Sequence, residues 1–275
     1  MADKGLQTII REYSPSDVPA LISLWEDTFG DSKEFISDFF DMLPQMGTCI
    51  LAERNGTIIA EASVITELEI ISDVGMVFGK CAYIYAVAAD KKHRGEGLGI
   101  DVSRAAYNYA KDHGIEIICT LPADNGLYSF YNKACGFDSS LHRRKYTVPA
   151  WELGSAEKID YSEYISLREK MLIGTHMKPS APVMKFADKL CKYYGGGLYS
   201  SESGICMAQV EGNICIIYEI ISSSDKSAES LAADTAAVLG CLGAVYYLPD
   251  ENGEKYIAFE SGKIPEKTFW GIAFE

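Results

Sequence analysis

Residues 93–99 read HRGEGLG, which places three glycines beside a cluster of cations. Gly95, Gly97 and Gly99 alternate with larger residues at the start of a segment with helical periodicity. A glycine inside a helix costs about 1 kcal/mol relative to alanine, so a helix interior would not select this run. At a helix N-terminus, glycines let backbone N–H groups approach an anion, and the helix dipole adds partial positive charge. The run therefore predicts a phosphate-binding turn.

The cations around the turn support an anionic ligand. Arg94 offers a fork of N–H donors, and the preceding residues KKH add local positive potential. Two common phosphate motifs do not fit. A GxGxxG fingerprint beginning at Gly95 needs a glycine where the chain has Ile100, and no Lys-Ser/Thr pair follows to make a P-loop. What remains is Arg94-x-x-Gly97-x-Gly99, a pattern that an ordinary strand–helix turn also satisfies.

The turn lies between a strand and a helix. AYIYAVAA is almost continuously apolar and predicts a central strand. The helix is predicted over 97–113 and ends at Gly114. IEIICTL predicts the next strand, residues 126–134 a short helix, and RRKYTVPA a final strand of the first half. Upstream, the sequence predicts a strand, two helices and a strand hairpin turning at Asn55-Gly56, in the segments LQTIIREY, SPSDVPALISLWEDTFG, KEFISDFFDML and TCILAERNGTIIAEASVITELEII.

A length of 275 residues suits two domains. The segment after Pro149 is the predicted boundary, which gives domains of 1–150 and 151–275. The second half repeats the order of the first, with strand NICIIYEII, a helix over 227–239 and strand AVYYLPDENG. Where the first half has KKHRGEGLG, the second has SSSDKSAES, without glycines or arginine. We therefore expect a similar second fold that lacks the phosphate turn.

The segment PADNGLYSFYNKACGF completes a larger pattern. It contains an asparagine, a tyrosine on a short helix and Gly136-Phe137, and with the RxxGxG turn it resembles the Gcn5-related N-acetyltransferase (GNAT) superfamily. The resemblance covers roughly residues 8–148. It implies an α+β protein of the two-domain bacterial type. A GNAT fold, with a mixed and mostly antiparallel sheet flanked by helices, would be followed by a smaller, degenerate GNAT-like α/β domain.

The same resemblance implies an activity. The co-substrate would be acetyl-CoA or another acyl-CoA, no metal would take part, and the acetyl group would pass directly to a primary amine. The pyrophosphate would lie on the turn, and the pantetheine arm on the end of the preceding strand. The implied cofactor-binding residues are Arg94, Gly95, Glu96, Gly97, Leu98 and Gly99 in the turn, Val87, Ala88 and Ala89 in the strand, and Asn125.

The reaction asks for three groups: a base for the amine, a donor for the thioester oxygen and an acid for the leaving thiolate. A backbone N–H near Val87 could be the donor. By resemblance Tyr131 is the acid, although it precedes Gly136 by five positions where many relatives have four. Tyr128, one turn earlier, is the alternative. In a chain with 17 tyrosines, both could also be packed aromatic residues.

The base is less evident. Glu67 and Glu69 could line the acceptor cleft, but their alternation fits a solvated strand face better. Some two-domain relatives use the terminal carboxylate, and Glu275 ends the apolar segment FWGIAFE. An edge strand would explain that segment equally well. The basic run HRRK at 142–145 fits a solvated strand edge better than a contact with the CoA 3′-phosphate.

Composition limits the partners. A formal net charge of −14 disfavours nucleic acid. The eight cysteines form no CxxC pair, which indicates free thiols in a reducing compartment and no metal site. No segment reads as a signal peptide or membrane span, so we expect a cytoplasmic protein with no membrane partner. The expected partner is a small-molecule or peptide amine, and a homo-oligomer is compatible with the sequence. A non-catalytic acyl-CoA-binding regulatory module is the alternative function.

Overall fold

The computed structural model describes residues 7–265 and 267–274, which divide into two units. Unit 1 contains the described residues up to Glu69, Gly79–Ser140 and Ile257–Ile264. Unit 2 contains Ile70–Phe78, Leu141–Tyr256 and the described residues from Pro265 onward. Each unit thus draws on several stretches of the chain, and the division at residue 150 stays a prediction.

The secondary structure follows the predicted order of elements closely. The strands are β1 (Thr8–Glu12), β2 (Gly47–Arg54), β3 (Thr57–Ile71), β4 (Val77–Ala89), β5 (Ile117–Thr120), β6 (Ser139–Pro149), β7 (Glu157–Ile159), β8 (His176–Pro179), β9 (Gly197–Ser201), β10 (Gly204–Glu211), β11 (Ile214–Ser222), β12 (Gly243–Pro249) and β13 (Glu254–Phe259). The helices are α1 (Val18–Phe29), α2 (Lys33–Met42), α3 (Leu98–Asp112), α4 (Leu127–Cys135), α5 (Tyr161–Met171), α6 (Ala181–Tyr193) and α7 (Asp225–Val238).

Local sequence explains several of these boundaries. Gly30 ends α1 in the left-handed region with a φ of 85°. Ser32 then caps α2, because its side chain accepts a hydrogen bond from the Phe35 N–H. Asn55 and Gly56 have φ values of 53° and 77°, the pair of positive angles that a two-residue hairpin turn needs. The predicted hairpin between β2 and β3 is therefore confirmed.

The sheet of unit 1 has the order β1-β2-β3-β4-β5-β13. β1, β2 and β3 pair antiparallel, β4 and β5 pair parallel, and β13 pairs antiparallel with β5. One face carries α3 and α4 over a core that includes Ile84, Leu98 and Tyr131. On the other face, Trp25 of α1 and Phe39 of α2 contact the ring of Tyr85.

Unit 2 repeats this arrangement, as the sequence predicts. Its sheet has the order β6-β12-β11-β10-β9-β7. β11 and β12 pair parallel and are connected by α7, just as β4 and β5 pair parallel and are connected by α3. The sixth strand differs from the prediction. The sequence predicts that RRKYTVPA, residues 143–150, completes the first half, but β6 pairs with β12 along Arg143–Pro149, and β13 takes the place beside β5. A single sequence does not distinguish these partners, because both strands can pair antiparallel.

A buried ion pair lies in unit 2. The Arg168 guanidinium of α5 donates to both oxygens of Glu219 on β11, with Nη2 at 3.0 Å from Oε2. The side chains are 3% and 0% exposed. Tyr164 donates its hydroxyl to the same carboxylate at 2.9 Å. Gly271 has a φ of 71° and passes so close to this carboxylate that a Cβ would clash with it. Packing of the C-terminal segment here requires a glycine.

Unit 1 has a buried carboxyl of a different kind. Glu61 lies on β3 and is fully buried. Among the described residues its Oε1 has no hydrogen-bond partner, and its Oε2 has only a weak contact with the Cys49 thiol at 3.8 Å. Burial raises the pKa of Glu61 well above its ordinary value, because the charged form would lose its hydration. Glu61 is therefore neutral over much of the pH range.

We predict that Glu61→Gln stabilises the protein more at pH 8 than at pH 5, relative to wild type. Because the pKa of Glu61 is higher in the folded than in the unfolded chain, the folded state binds more protons. The free energy of unfolding of the wild-type protein should therefore fall as the pH rises above the ordinary pKa of a glutamate, by up to about 1.4 kcal/mol per pH unit. Glutamine is neutral throughout and removes this dependence. Urea unfolding at both pH values measures the difference.

The matched control is Glu67→Gln, on the exposed part of the same strand. We expect it to change stability by less than about 0.5 kcal/mol at either pH. An equal effect of Glu61→Gln at pH 5 and pH 8 would contradict the assignment.

None of the described helices combines the length and apolar character needed to cross a membrane.

Candidate active site

The glycine-rich turn leads into α3 without a side-chain cap. Gly97 is the N-cap residue, and no side chain accepts a hydrogen bond there. The first backbone bond of the helix runs from the Asp101 N–H to the Gly97 carbonyl, at 3.1 Å. The N–H groups of residues 98–100 precede it and have no intrahelical acceptor. The start of α3 therefore presents a row of backbone donors.

The three glycines have two different roles. Gly95 and Gly97 have φ values of 89° and 87°, and a Cβ on either would meet no atom within 4 Å. Other residues are strained in this conformation, and the space beside these two glycines is open. Gly99 instead packs against α4, where a Cβ would come within 3.3 Å of the Phe130 ring. The sequence assigned one role to all three, but the missing Cβ of Gly99 serves helix packing.

Ion pairs hold the turn in place. Arg54 of β2 donates to Glu96 at 2.8 Å, and His93 lies 3.0 Å from the other oxygen of Glu96. The hydrogen bonds from His93 and Arg54 lower the pKa of Glu96, so its carboxylate stays charged. Asp90 accepts from the Lys92 N–H at 2.8 Å. Arg94 is exposed and makes no hydrogen bond or ion pair with the described residues. Its guanidinium is available to an anion.

β4 and β5 separate beside this turn. Their parallel pairing ends at Tyr83 with Cys119, whereas β4 continues to Ala89. Beyond this pair, none of the described strands pairs in register with the β5 side of residues 85–89, which leaves an edge open to an extended ligand. Ala86 has a φ of 50°, an uncommon angle for a residue with a Cβ. Such strain persists where the surrounding structure enforces it, often at functional sites.

Ala86 also reverses the alternation of side chains. Tyr83 and Tyr85 lie on the face of the sheet that carries α1 and α2, as the contacts of Tyr85 with those helices show. Without the irregular backbone at Ala86, Val87 and Ala89 would share that face. They pack instead against the core beneath α3 and α4. The side chains of β4 after Ala86 therefore lie on the opposite face from the one that simple alternation predicts, at the point where β4 separates from β5.

Tyr131 lies at this separation. Its hydroxyl is hydrogen-bonded to the side chain of Thr120, the last residue of β5. Thr120 Oγ1 donates to the Ile84 carbonyl of β4 at 2.8 Å. The Tyr131 side chain is 7% exposed, and burial raises the pKa of Tyr131 to about 12. It is therefore protonated at neutral pH and able to donate a proton.

The sequence of this part of the chain matches a known family. Residues 9–137 match the sequence model of the acetyltransferase (GNAT) family. The match covers just under half of the chain and identifies a GNAT domain within it. No curated protein sequence matches the chain.

Solved structures resemble the chain over almost its whole length. A GCN5-related N-acetyltransferase from Kribbella flavida has a TM-score of 0.64 and 13% identity, covering 92% of this chain and 70% of that one. One from Anabaena variabilis has a TM-score of 0.64 and 12% identity, covering 93% and 71%. Eis1 from Mycobacterium abscessus has a TM-score of 0.61 and 10% identity, covering 92% and 74%. This likeness confirms the predicted α+β GNAT fold.

The other residues that the GNAT resemblance selected are spread around the site. Tyr128 is half-buried on α4, and Asn125 is exposed in the turn before that helix. Glu67 is exposed and Glu69 half-buried on β3, in agreement with a solvated strand face. Glu275 lies outside the described residues.

The basic run 142–145 lies on β6 in unit 2. Arg143 pairs with Glu254, and Arg144 pairs with Asp250 at 2.8 Å. These contacts favour the structural interpretation over a phosphate contact.

All eight cysteines are free and buried, as predicted. Within the described part of the chain, no three His, Cys, Asp or Glu side chains cluster as metal ligands would.

Sequence reasoning did not select three residues that lie beside the separation of β4 from β5: Tyr85, Ala86 and Thr120. Ala86 and Tyr85 belong to an apolar run in which no residue type marks a change of backbone direction. A threonine at the end of the apolar strand IEIICTL is a polar group at the open edge. That signal could have selected Thr120.

Unit 2 contains the corresponding strand–helix–strand segment, but the N-terminus of its helix is capped by a side chain. Ser224 is the N-cap of α7, and its side chain accepts from the Ser227 N–H at 3.2 Å. The cap satisfies one of the helix's first donors, and no glycine opens the turn. That the second domain lacks a phosphate turn stays a prediction.

Proposed function

We propose that the protein transfers the acetyl group of acetyl-CoA to a primary amine, by direct attack of the amine on the thioester. One observation carries the proposal. The separation of β4 from β5 leaves an open backbone edge that runs from the Tyr131 and Thr120 side chains toward the uncapped start of α3. An extended thioester with a pyrophosphate needs such an edge and such a helix start.

The residues present fit the co-substrate. Open space beside Gly95 and Gly97 leaves room for a pyrophosphate against the N–H groups of residues 94–99. Arg94 is free to add a charge-assisted contact. The backbone of Val87, Ala88 and Ala89 offers hydrogen-bonding groups to an amide-containing arm. Asn125 is exposed and remains a proposed contact.

Acetyl-CoA supplies the activated acyl group, and the protein supplies placement and proton transfer. A new C–N bond forms as the C–S bond breaks, so the amine loses one proton and the thiolate gains one. A backbone N–H near Val87 stabilises the charge on the thioester oxygen. Tyr131, which is protonated at neutral pH, gives its proton to the departing sulfur. Glu275 remains the proposed base.

Thiol release from acetyl-CoA tests the activity. The purified protein is incubated with primary amines, namely monoamines, polyamines, aminoglycosides and peptides, and free thiol is measured over time. Amine-dependent release supports the proposal. Tight CoA binding without release for any amine would favour the non-catalytic binding module.

The cytoplasm stays the proposed compartment, because eight buried free thiols suit reducing conditions.

We predict that Tyr131→Phe lowers kcat about 100-fold, since general acid catalysis typically contributes that much or more. The acetyl-CoA dissociation constant should stay within about twofold, because phenylalanine keeps the contacts with Phe130 and Phe137. Steady-state kinetics and calorimetric titration measure the two effects. Tyr128→Phe is the control and should leave kcat almost unchanged. If Tyr128→Phe lowers kcat and Tyr131→Phe does not, Tyr128 would be the acid.

A further inference from the structure

Strands β11 and β12 of unit 2 separate and leave a small cavity. Their parallel pairing ends at Ile217 with Tyr246, although both strands continue beyond that pair. The cavity has a volume of about 30 Å³. It is lined by both strands after the last pair and by the C-terminal segment, at residues 218–220, 247–249 and 268–271. At roughly 10–15 Å³ for each water molecule, it holds about two waters or one ion of similar size.

The indole of Trp270 brings an unused hydrogen-bond donor to this cavity. Trp270 lines the cavity and is 2% exposed. Among the described residues, its Nε1–H has no hydrogen-bond partner. A buried N–H without an acceptor is costly, and buried polar groups in folded proteins nearly always have a partner. Trp270 therefore indicates that an acceptor occupies the cavity.

Arg143 adds positive charge to the same cavity. Its Cζ atom lies 3.8 Å from the ring centroid of Tyr247 and 4.3 Å from that of Tyr256, so two aromatic rings hold the guanidinium in place. Nε donates to Glu254 at 3.2 Å. The Glu254 side chain is 51% exposed and the Arg143 side chain only 12%, so water screens the carboxylate more than the guanidinium. The cavity therefore attracts a negative charge.

The acceptors beside the cavity are already in use. Glu219 lines it, but its two oxygens have four hydrogen-bond contacts with Arg168 and Tyr164. A carboxylate has about four lone-pair sites, so Glu219 has no site left, and Arg168 offsets its charge. The Gly271 carbonyl accepts from the Tyr256 hydroxyl at 2.7 Å. Because a water molecule must donate as well as accept, an anion suits these surroundings better.

We propose that unit 2 binds a small carboxylate, of the size of formate, in this cavity. One oxygen of the ligand accepts from the Trp270 indole N–H, and the other accepts from the Arg143 guanidinium, whose fork of N–H groups matches a carboxylate. The volume of the cavity excludes bulkier anions such as sulfate. This site is independent of the proposed acetyl transfer, so either can fail without the other.

The indole N–H signals in nuclear magnetic resonance spectra test the proposal. The chain has three tryptophans, so nitrogen-15-labelled protein has three indole N–H groups, and the Trp270→Phe variant identifies the signal of Trp270. Sodium formate is added in place of sodium sulfate at constant ionic strength. We expect one indole signal, that of Trp270, to shift until it saturates, while the other two stay in place. No saturable shift, or equal shifts of all three signals, would overturn the proposal.

A pair of neighbouring arginines separates a specific contact from general attraction. Arg143→Gln should raise the dissociation constant for formate about tenfold or more, because a charge-assisted contact is lost. Arg144 is the matched control, since it does not line the cavity, pairs with Asp250 and is 50% exposed. Arg144→Gln removes the same charge and should change the dissociation constant less than about twofold. Equal weakening by both variants, or unchanged affinity in Arg143→Gln, would overturn the site.

Discussion

Replacing Gly97 with tryptophan is expected to lower the affinity for acetyl-CoA about 100-fold while the protein stays folded. Gly97 has a φ of 87°, and a Cβ there would meet no atom within 4 Å. The substitution therefore costs only the backbone strain, about 1–2 kcal/mol. The indole would occupy the space in front of the α3 N–H groups, where the pyrophosphate is proposed to bind. A 100-fold loss corresponds to about 2.8 kcal/mol of binding free energy.

The control for this prediction lies at the other end of the same helix. Gly114 follows α3 with a φ of 74°, and a Cβ there would also meet nothing within 4 Å. Gly114→Trp pays a similar strain far from the turn, so both variants should lose a similar amount of thermal stability. Calorimetric titration with acetyl-CoA should then separate them. If Gly97→Trp binds as well as Gly114→Trp, the turn is not the pyrophosphate site.

Replacing Arg168 with methionine is expected to destabilise the protein by about 3–5 kcal/mol. Glu219 would keep the hydroxyl of Tyr164 but lose the guanidinium that bonds both of its oxygens. A carboxylate with 0% exposure cannot recover this loss from water. The free energy of unfolding in urea measures the effect. Many single-domain proteins have a total stability of only about 5–15 kcal/mol, so the loss would be large.

Two further variants show whether the unpaired charge is the cause. Arg168→Met combined with Glu219→Leu removes both charges and should recover most of the stability, because an apolar pair can replace a buried ion pair. Lys178→Met breaks an exposed pair with Glu169, whose side chains are 42% and 50% exposed. It should cost less than about 1 kcal/mol. A double variant as unstable as Arg168→Met would argue that lost packing dominates.

Much of unit 1 follows from local sequence, because the signals there are local. Helix α3 was predicted over 97–113 and occupies Leu98–Asp112. The Asn55-Gly56 turn fixed the β2–β3 hairpin in the same way. The uncapped start of α3 follows from Gly97, which offers no side-chain acceptor. The glycine-rich turn and the helix that follows it could therefore be predicted without any knowledge of the sheet.

The parts that sequence reasoning missed depend on contacts between distant residues. Nothing in YAVAA marks Ala86 as strained, since its φ is imposed by the strands around it. The sequence does not show the partners of β6 and β13 either, because both strands mix polar and apolar residues and either could pair beside β5. Tyr131 could be selected by resemblance, but its contact with Thr120 required the folded sheet.

The place of β13 beside β5 has a consequence for synthesis on the ribosome. Ala258 pairs with Thr120, the residue that also joins Ile84 and Tyr131 at the open edge. At ordinary translation rates, residue 258 emerges on the order of ten seconds after residue 120. Until then, β5 is a sheet edge without its neighbour, the kind of edge that pairs wrongly with other chains. A nascent chain therefore completes the sheet around the proposed acyl site only near the end of translation.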